Sequence, residues 1–126
     1  MLDVLRLARG MTYLGGVAGL PLGGGKAVII GDPASDKNES LFRSLGRYVE
    51  SLGGRYIATE DVGITVQDIE WLSTETEHAV GLPLTWGGSG DPSPATAFGI
   101  SQAMKACAQE KLESDDLKGR TIVIQG

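Results

Sequence analysis

The sequence predicts an α/β fold, a mostly parallel open sheet flanked by helices. Three observations carry that prediction. Amphipathic helical stripes recur along the chain. Short apolar runs, AVII at 27–30, RYIAT at 55–59 and TIVIQG at 121–126, lie between them and are set off by glycine or polar turns. The resulting order, helix–strand–helix–strand–helix–helix–strand, is the alternation that parallel sheets with helical crossovers require.

Each element has a local reason. Leu2, Leu5, Ala8 and Met11 share one face of a helix over 2–13, which Gly15, Gly16 and Gly19 are expected to stop. AVII reads as a buried strand ended by Asp32-Pro33. From Asp36 to Leu52, residues Leu41, Phe42, Leu45, Tyr48, Val49 and Leu52 form an apolar stripe, and Gly53-Gly54 closes the helix. RYIAT follows as a second strand and delivers Glu60-Asp61. Thr65 with Asp68 reads as a capping box opening a helix through about Thr76. Residues 77–93 are loop. Ser93 is placed to cap, and Pro94 to begin, a helix running to about Leu112. TIVIQG closes the chain as a strand. A β-branched strand ending in glycine is how a dinucleotide-binding βαβ unit begins, so the chain reads as truncated at the start of a Rossmann domain.

Composition narrows the function classes. Of 126 residues, 41% are hydrophobic, enough for a core, and the net charge of −5 argues against a nucleic-acid or anionic-membrane partner. No apolar run is long enough to span a bilayer. A single cysteine excludes an internal disulfide and a cysteine-cluster metal site. The opening residues lack the unbroken apolar core of a signal peptide, so the segment reads as soluble and cytoplasmic. Glycine is the outlier at 19 residues, clustered at 15–25, 53–54 and 87–90, where it marks either turns or close backbone approach.

Gly23-Gly24-Gly25-Lys26 is the sharpest constellation. A phosphate-binding loop fails twice: Gly19 to Gly25 is one residue too long, and Ala27 stands where a hydroxyl must hold magnesium. Lys26 reads either as a lysine snorkelling from a strand end or as a general base made available by apolar walls. Asp61, at the end of the second strand, reads either as a turn aspartate or as a proton-exchanging carboxylate. Together the two suggest proton-transfer chemistry. His78 is the single histidine, which leaves metal sites and histidine triads without support, and it is given a loop or packing role. Cys107 reads as a buried structural thiol, and Trp71, Trp86 and Phe98 as packing residues.

In order, LARGMTY, LGGGKAVIIGDP, FRSLGRY, GRYIATEDVGIT, GDPSPATAFGI and TIVIQG resemble the glutamate/leucine/phenylalanine/valine dehydrogenase family, most closely its leucine and branched-chain members. The resemblance covers essentially the whole chain. It implies an NAD-dependent oxidative deamination of an L-amino acid to a 2-oxo acid and ammonia, in a homo-oligomer. It implies Lys26 as the catalytic lysine that activates water and Asp61 as the carboxylate that shuttles a proton to the substrate nitrogen. It places Met11, Thr59 and Val80 at the substrate, and Thr96 and Gly126 at the cofactor, with no metal. Residues 1–93 would then be a partial substrate-binding and oligomerisation domain, 94–119 a connecting helix and turn, and 120–126 the first strand of an NAD-binding domain.

Three departures accompany the resemblance. Leu14 stands where the family has a lysine that clamps the substrate carboxylate, a contact worth about 1.5–3 kcal/mol. The chain would begin inside the first domain, and it would lack the cofactor domain beyond its first strand. These departures raise an alternative, a non-catalytic homologue or oligomerisation module.

Overall fold

The computed structural model describes residues 2–124, as two compact units, Met1–Val80 and Gly81–Gly126. In the first unit the core is built by two helices, α2 (Glu39–Ser51) and α3 (Val66–Ser73). The side-chain oxygen of Asn38 accepts the Leu41 N–H at 3.0 Å and opens α2. The expected capping box opens α3: Thr65 Oγ1 accepts the Asp68 N–H, and Asp68 Oδ2 accepts the Thr65 N–H at 2.7 Å. The apolar stripe read from α2 then meets α3, except for Tyr48, which is exposed. Phe42, Val49, Ala58 and Leu72 form the buried cluster, with Leu45, Tyr56, Ile64 and Trp71 packed around it. Each large side chain buried there contributes about 1.5–3 kcal/mol. Gly46 lets the helices approach backbone to backbone, since a Cβ there would run into the Leu72 carbonyl. α3 ends at Ser73 rather than near Thr76. Thr76 instead leaves the helix and donates its hydroxyl to Glu50 Oε2 at 2.6 Å, tying the following loop back to α2.

The first helix, α1 (Leu2–Val17), is longer than its sequence suggests. Gly15 and Gly16 do not stop it. The stop is at Gly19, which takes φ +69° and donates to the Gly16 carbonyl at 3.2 Å, while Leu20 donates to the Gly15 carbonyl at 2.9 Å. That paired pattern needs one left-handed residue, and Gly19 supplies it.

The expected parallel sheet is not seen, which corrects the sheet part of the predicted fold class. Among the described residues there is no strand, only one isolated parallel bridge between Ala58 and Ala79. Its bonds run from the Ala58 N–H to the His78 carbonyl (2.9 Å) and from the Val80 N–H to the Ala58 carbonyl (2.8 Å). AVII and the described part of the last run, 121–124, have no strand pairing and carry exposed side chains; Ile30 is 97% exposed and Val123 89%. The physical reason is that a strand exists only through its neighbours, and apolar composition cannot substitute for a pairing partner.

In the second unit a short 3-10 turn (Leu84–Trp86) precedes α4 (Ser93–Leu112). Pro92 rather than Ser93 is the cap, and the Ser93 N–H is satisfied by Asp91 Oδ1 at 2.8 Å. The Ser93 hydroxyl first, and then its N–H, hold the Asp91 carboxyl below its ordinary range. Cys107 is exposed, contrary to the buried thiol expected from its apolar neighbours, because Ala108 is the one buried residue of α4. Trp86 and Phe98 are likewise exposed, whereas Trp71 packs on Phe42 with ring centroids 6.3 Å apart. No helix among the described residues is long and apolar enough to cross a membrane.

Candidate active site

The structure brings Lys26 and Asp61 together. Lys26 Nζ forms an ion pair with Asp61 Oδ2 across 35 residues of sequence, its side chain mostly covered and that of Asp61 half exposed. A pair this accessible to water contributes only about 0–1 kcal/mol to stability, so stability alone gives little reason for it.

The glycine run explains how Lys26 gets there. Gly24 donates its N–H to Thr12 Oγ1 at 3.0 Å, seating the loop on α1, and a Cβ at Gly24 would collide with the Ala8 carbonyl and with Thr12. A Cβ at Gly25 would sit 2.8 Å from the Tyr56 ring. Close backbone approach, rather than turn formation or phosphate binding, is what these two glycines permit. The Tyr56 ring is half-buried, and burial pushes its phenol above the ordinary value against a backbone hydrogen bond from Ala27. The two glycines before Lys26 thus seat its loop on a helix and against an aromatic ring.

Asp61 is held by a turn. Its Oδ1 accepts the Val62 N–H and its carbonyl accepts the Ile64 N–H, both at 2.8 Å, with Gly63 at φ +79° completing the bend. Lys37 Nζ donates to the Gly63 carbonyl at 3.0 Å and pairs with the buried carboxylate of Asp68. Glu60, beside Asp61, accepts the Thr59 hydroxyl on Oε2 at 2.8 Å, while its Oε1 is buried with no hydrogen-bond partner.

The other anticipated site residues are distributed differently. Thr59 and Val80 flank the Ala58–Ala79 bridge, and both are exposed. Met11 and Leu14 lie on α1, also exposed, with Met11 next to the Thr12 that receives the glycine loop. Thr96 is in the first turn of α4, in the second unit, with its N–H bonded to the Pro92 carbonyl at 2.9 Å. Gly126 lies outside the described residues. His78 packs its ring over Gly54, with Nε2 4.0 Å from Glu50 Oε2. An open groove beside the start of α2 is lined by Asn38, Glu39, Ser40, Arg43 and Arg47, and its arginines are already paired with Glu39 and Glu75.

Sequence reasoning missed Thr12, Lys37 and Tyr56. Tyr56 sat in a run read as strand, and nothing in local spacing ties Lys37 to partners 26 and 31 residues away. Asp68 was visible as a cap, without its second role as a counter-ion.

With this geometry in place, comparison with known proteins is informative. Residues 1–78 match the family model described as "Glu/Leu/Phe/Val dehydrogenase, dimerisation domain". The chain is 55% identical to the leucine dehydrogenase of Bacillus subtilis over 124 residues, 98% of this chain and 34% of that protein. It is 50% identical to the phenylalanine dehydrogenase of Lysinibacillus sphaericus, covering 98% of this chain and 32% of that one. The crystal structure of L-tryptophan dehydrogenase from Nostoc punctiforme superposes with a TM-score of 0.62 at 42% identity, over 93% of this chain and 32% of its own. The chain therefore spans about a third of the length of the curated relatives it matches. With a family model matched over more than half its residues, the chain belongs to the Glu/Leu/Phe/Val dehydrogenase family.

Proposed function

We propose that the chain forms the substrate side of an NAD-dependent amino acid dehydrogenase that deaminates L-leucine or another branched-chain or apolar L-amino acid. The overall change converts amino acid, water and NAD⁺ to 2-oxo acid, ammonium, NADH and a proton. The observation that carries this reading is the Lys26–Asp61 ion pair, an ammonium and a carboxylate in contact, with the carboxylate half exposed to water. Lys26, in its neutral form, takes the proton from the water that adds to the imine carbon, and Asp61 exchanges a proton with the substrate nitrogen. Met11, Thr59 and Val80 are read as substrate contacts; their exposure leaves them available for that role.

Thr96 is the one cofactor residue of this reading among those described, and a single hydroxyl does not hold a dinucleotide. Lys26 and Asp61 act on water and on the substrate nitrogen. The reading includes a cytoplasmic homo-oligomer; the dimerisation description of the matching family supports the assembly.

A second reading, a non-catalytic homologue or oligomerisation module, is favoured by Leu14, which is exposed on the last turns of α1 and offers no donor to a carboxylate. One experiment separates the two. This chain replaces the matching stretch of a leucine dehydrogenase host, and amino-acid-dependent NADH formation is measured with and without Leu14→Lys. Restoring the clamp is expected to raise kcat/KM by about 10- to 100-fold, the equivalent of 1.5–3 kcal/mol. Lys26→Ala in the improved host is expected to lower kcat by about 10²–10⁴-fold while NADH binding survives. Unchanged turnover in Lys26→Ala removes Lys26 from the catalytic role, and no turnover with Leu14→Lys favours the module.

A further inference from the structure

We infer that Lys37 is a positioning residue for Asp61, acting through the turn at 61–64 and anchored by the buried carboxylate of Asp68. The inference rests on the reading of Asp61 as a proton-exchanging group, and it concerns residues to which that reading gives no role. Three contacts build the device. Lys37 Nζ donates to the Gly63 carbonyl at 3.0 Å, inside the turn that carries Asp61. The same ammonium pairs with Asp68, whose carboxylate is 2% exposed and also accepts both the N–H and the hydroxyl of Thr65. It lies 6.0 Å from the Phe42 ring centroid, in the main core.

The arrangement has a direction. Asp68 is fixed by α3, and Phe42 by α2, so both anchors belong to the rigid part of the unit. The turn between Asp61 and Ile64 is the soft part, with exposed Asp61, Val62 and Gly63 held by a few hydrogen bonds. An ammonium has three donors and no acceptor, so one group can bind a carbonyl of the soft part and a carboxylate of the rigid part at once. Lys37 thereby transmits the position of the core to the turn, and the turn presents Asp61 Oδ2 to Lys26 while the Val62 N–H occupies Oδ1. A buried carboxylate without its cation is strongly disfavoured, which keeps Lys37 drawn inward rather than free in solvent.

Amide hydrogen exchange on this chain tests the device without requiring activity. In Lys37→Met the Ile64 amide, bonded to the Asp61 carbonyl, is expected to exchange at least about tenfold faster, a local opening. The Val49 and Leu72 amides, in α2 and α3, are expected to keep their protection, and Lys37→Arg to restore that of Ile64. Should Lys37→Met unfold the chain, Lys37→Gln, which lacks the charge that anchors residue 37 on Asp68, is expected to show the same local loss. Unchanged Ile64 protection in a folded Lys37 variant overturns the proposal, as does equal loss at Ile64 and in both helices.

The chimaeric host with Leu14→Lys gives the catalytic readout. Lys37→Met is expected to lower kcat by about tenfold or more with KM little changed, because Asp61 is misplaced rather than substrate binding lost. Lys37→Arg is expected to recover it. A rise in KM alone contradicts positioning. If Asp61→Asn leaves turnover intact while the exchange result holds, the catalytic reading of Asp61 fails and the structural clamp stands.

Discussion

The α2–α3 pair and the β-branched runs at 27–30 and 121–124 use comparable apolar side chains, with opposite outcomes. Phe42, Val49 and Leu72 are each 1% exposed, whereas Ile30 and Val123 stand almost wholly in solvent. A helix satisfies most of its own backbone hydrogen bonds, so α2 and α3 need only one partner face and a close crossing at Gly46. An extended run satisfies none of its own, and its side chains are covered only when neighbouring strands bring a sheet. Apolar content is covered in this chain where two helices meet, as α2 and α3 do, and stays open along the extended runs and on α1, where Leu2 and Leu5 are each 63% exposed. The Lys26–Asp61 pair lies at the boundary: Lys26 leads into an unpaired run, and Asp61 follows the single bridge at Ala58.

Substitutions on the two sides should differ accordingly. Phe42→Ala should cost about 3–5 kcal/mol in denaturant unfolding, the largest effect, through the cavity left between α2 and α3. Gly46→Ala should cost about 1–3 kcal/mol by forcing the helices apart at Leu72. Thr65→Ala should cost about 1 kcal/mol, since it removes one half of the capping box that starts α3. Ile30→Ala should stay within about 0.5 kcal/mol, because the side chain has little packing to lose. A cost at Ile30 comparable to that at Phe42 would break the comparison.

A pH series sharpens it at the α2–α3 surface. Arg43 beside Glu75, with Arg47 in support, holds the Glu75 carboxyl below its usual range. The folded value is the lower one, so this contribution is fully present above the unfolded pKa and is lost as pH falls through the folded one. The wild-type unfolding midpoint should therefore decline below about pH 4.5, where an unfolded glutamate begins to protonate, and Glu75→Gln should flatten part of that decline. Equal acid slopes in the two proteins would remove the pair from the account.

What was legible in the sequence follows the same division. The stripe from Leu41 to Leu52 and the Thr65–Asp68 spacing report on contacts within a few residues, and both helices formed. Of the three glycines expected to stop α1, Gly19 does so and Gly15 and Gly16 do not, because a left-handed cap depends on φ at one position rather than on glycine content. AVII and TIVI were read as strands from composition, which carries no information about whether a partner strand is present. Cys107 was expected inside because its neighbours are apolar, yet α4 buries only Ala108. Sequence points to Lys26 and to Asp61, and only the fold brings them into contact. Lys37 was invisible because its partners are 26 and 31 residues distant.

The central claim, that Lys26 and Asp61 act as one unit on the substrate, is tested most directly by a double-variant cycle in the leucine dehydrogenase host with Leu14→Lys. Steady-state kcat would be compared for Lys26→Ala, Asp61→Asn and the pair. The account predicts that each single change loses about 10²-fold or more and that the double variant loses little beyond the worse single, as for residues acting together. Losses that simply multiply, or a single variant with undiminished turnover, would contradict it.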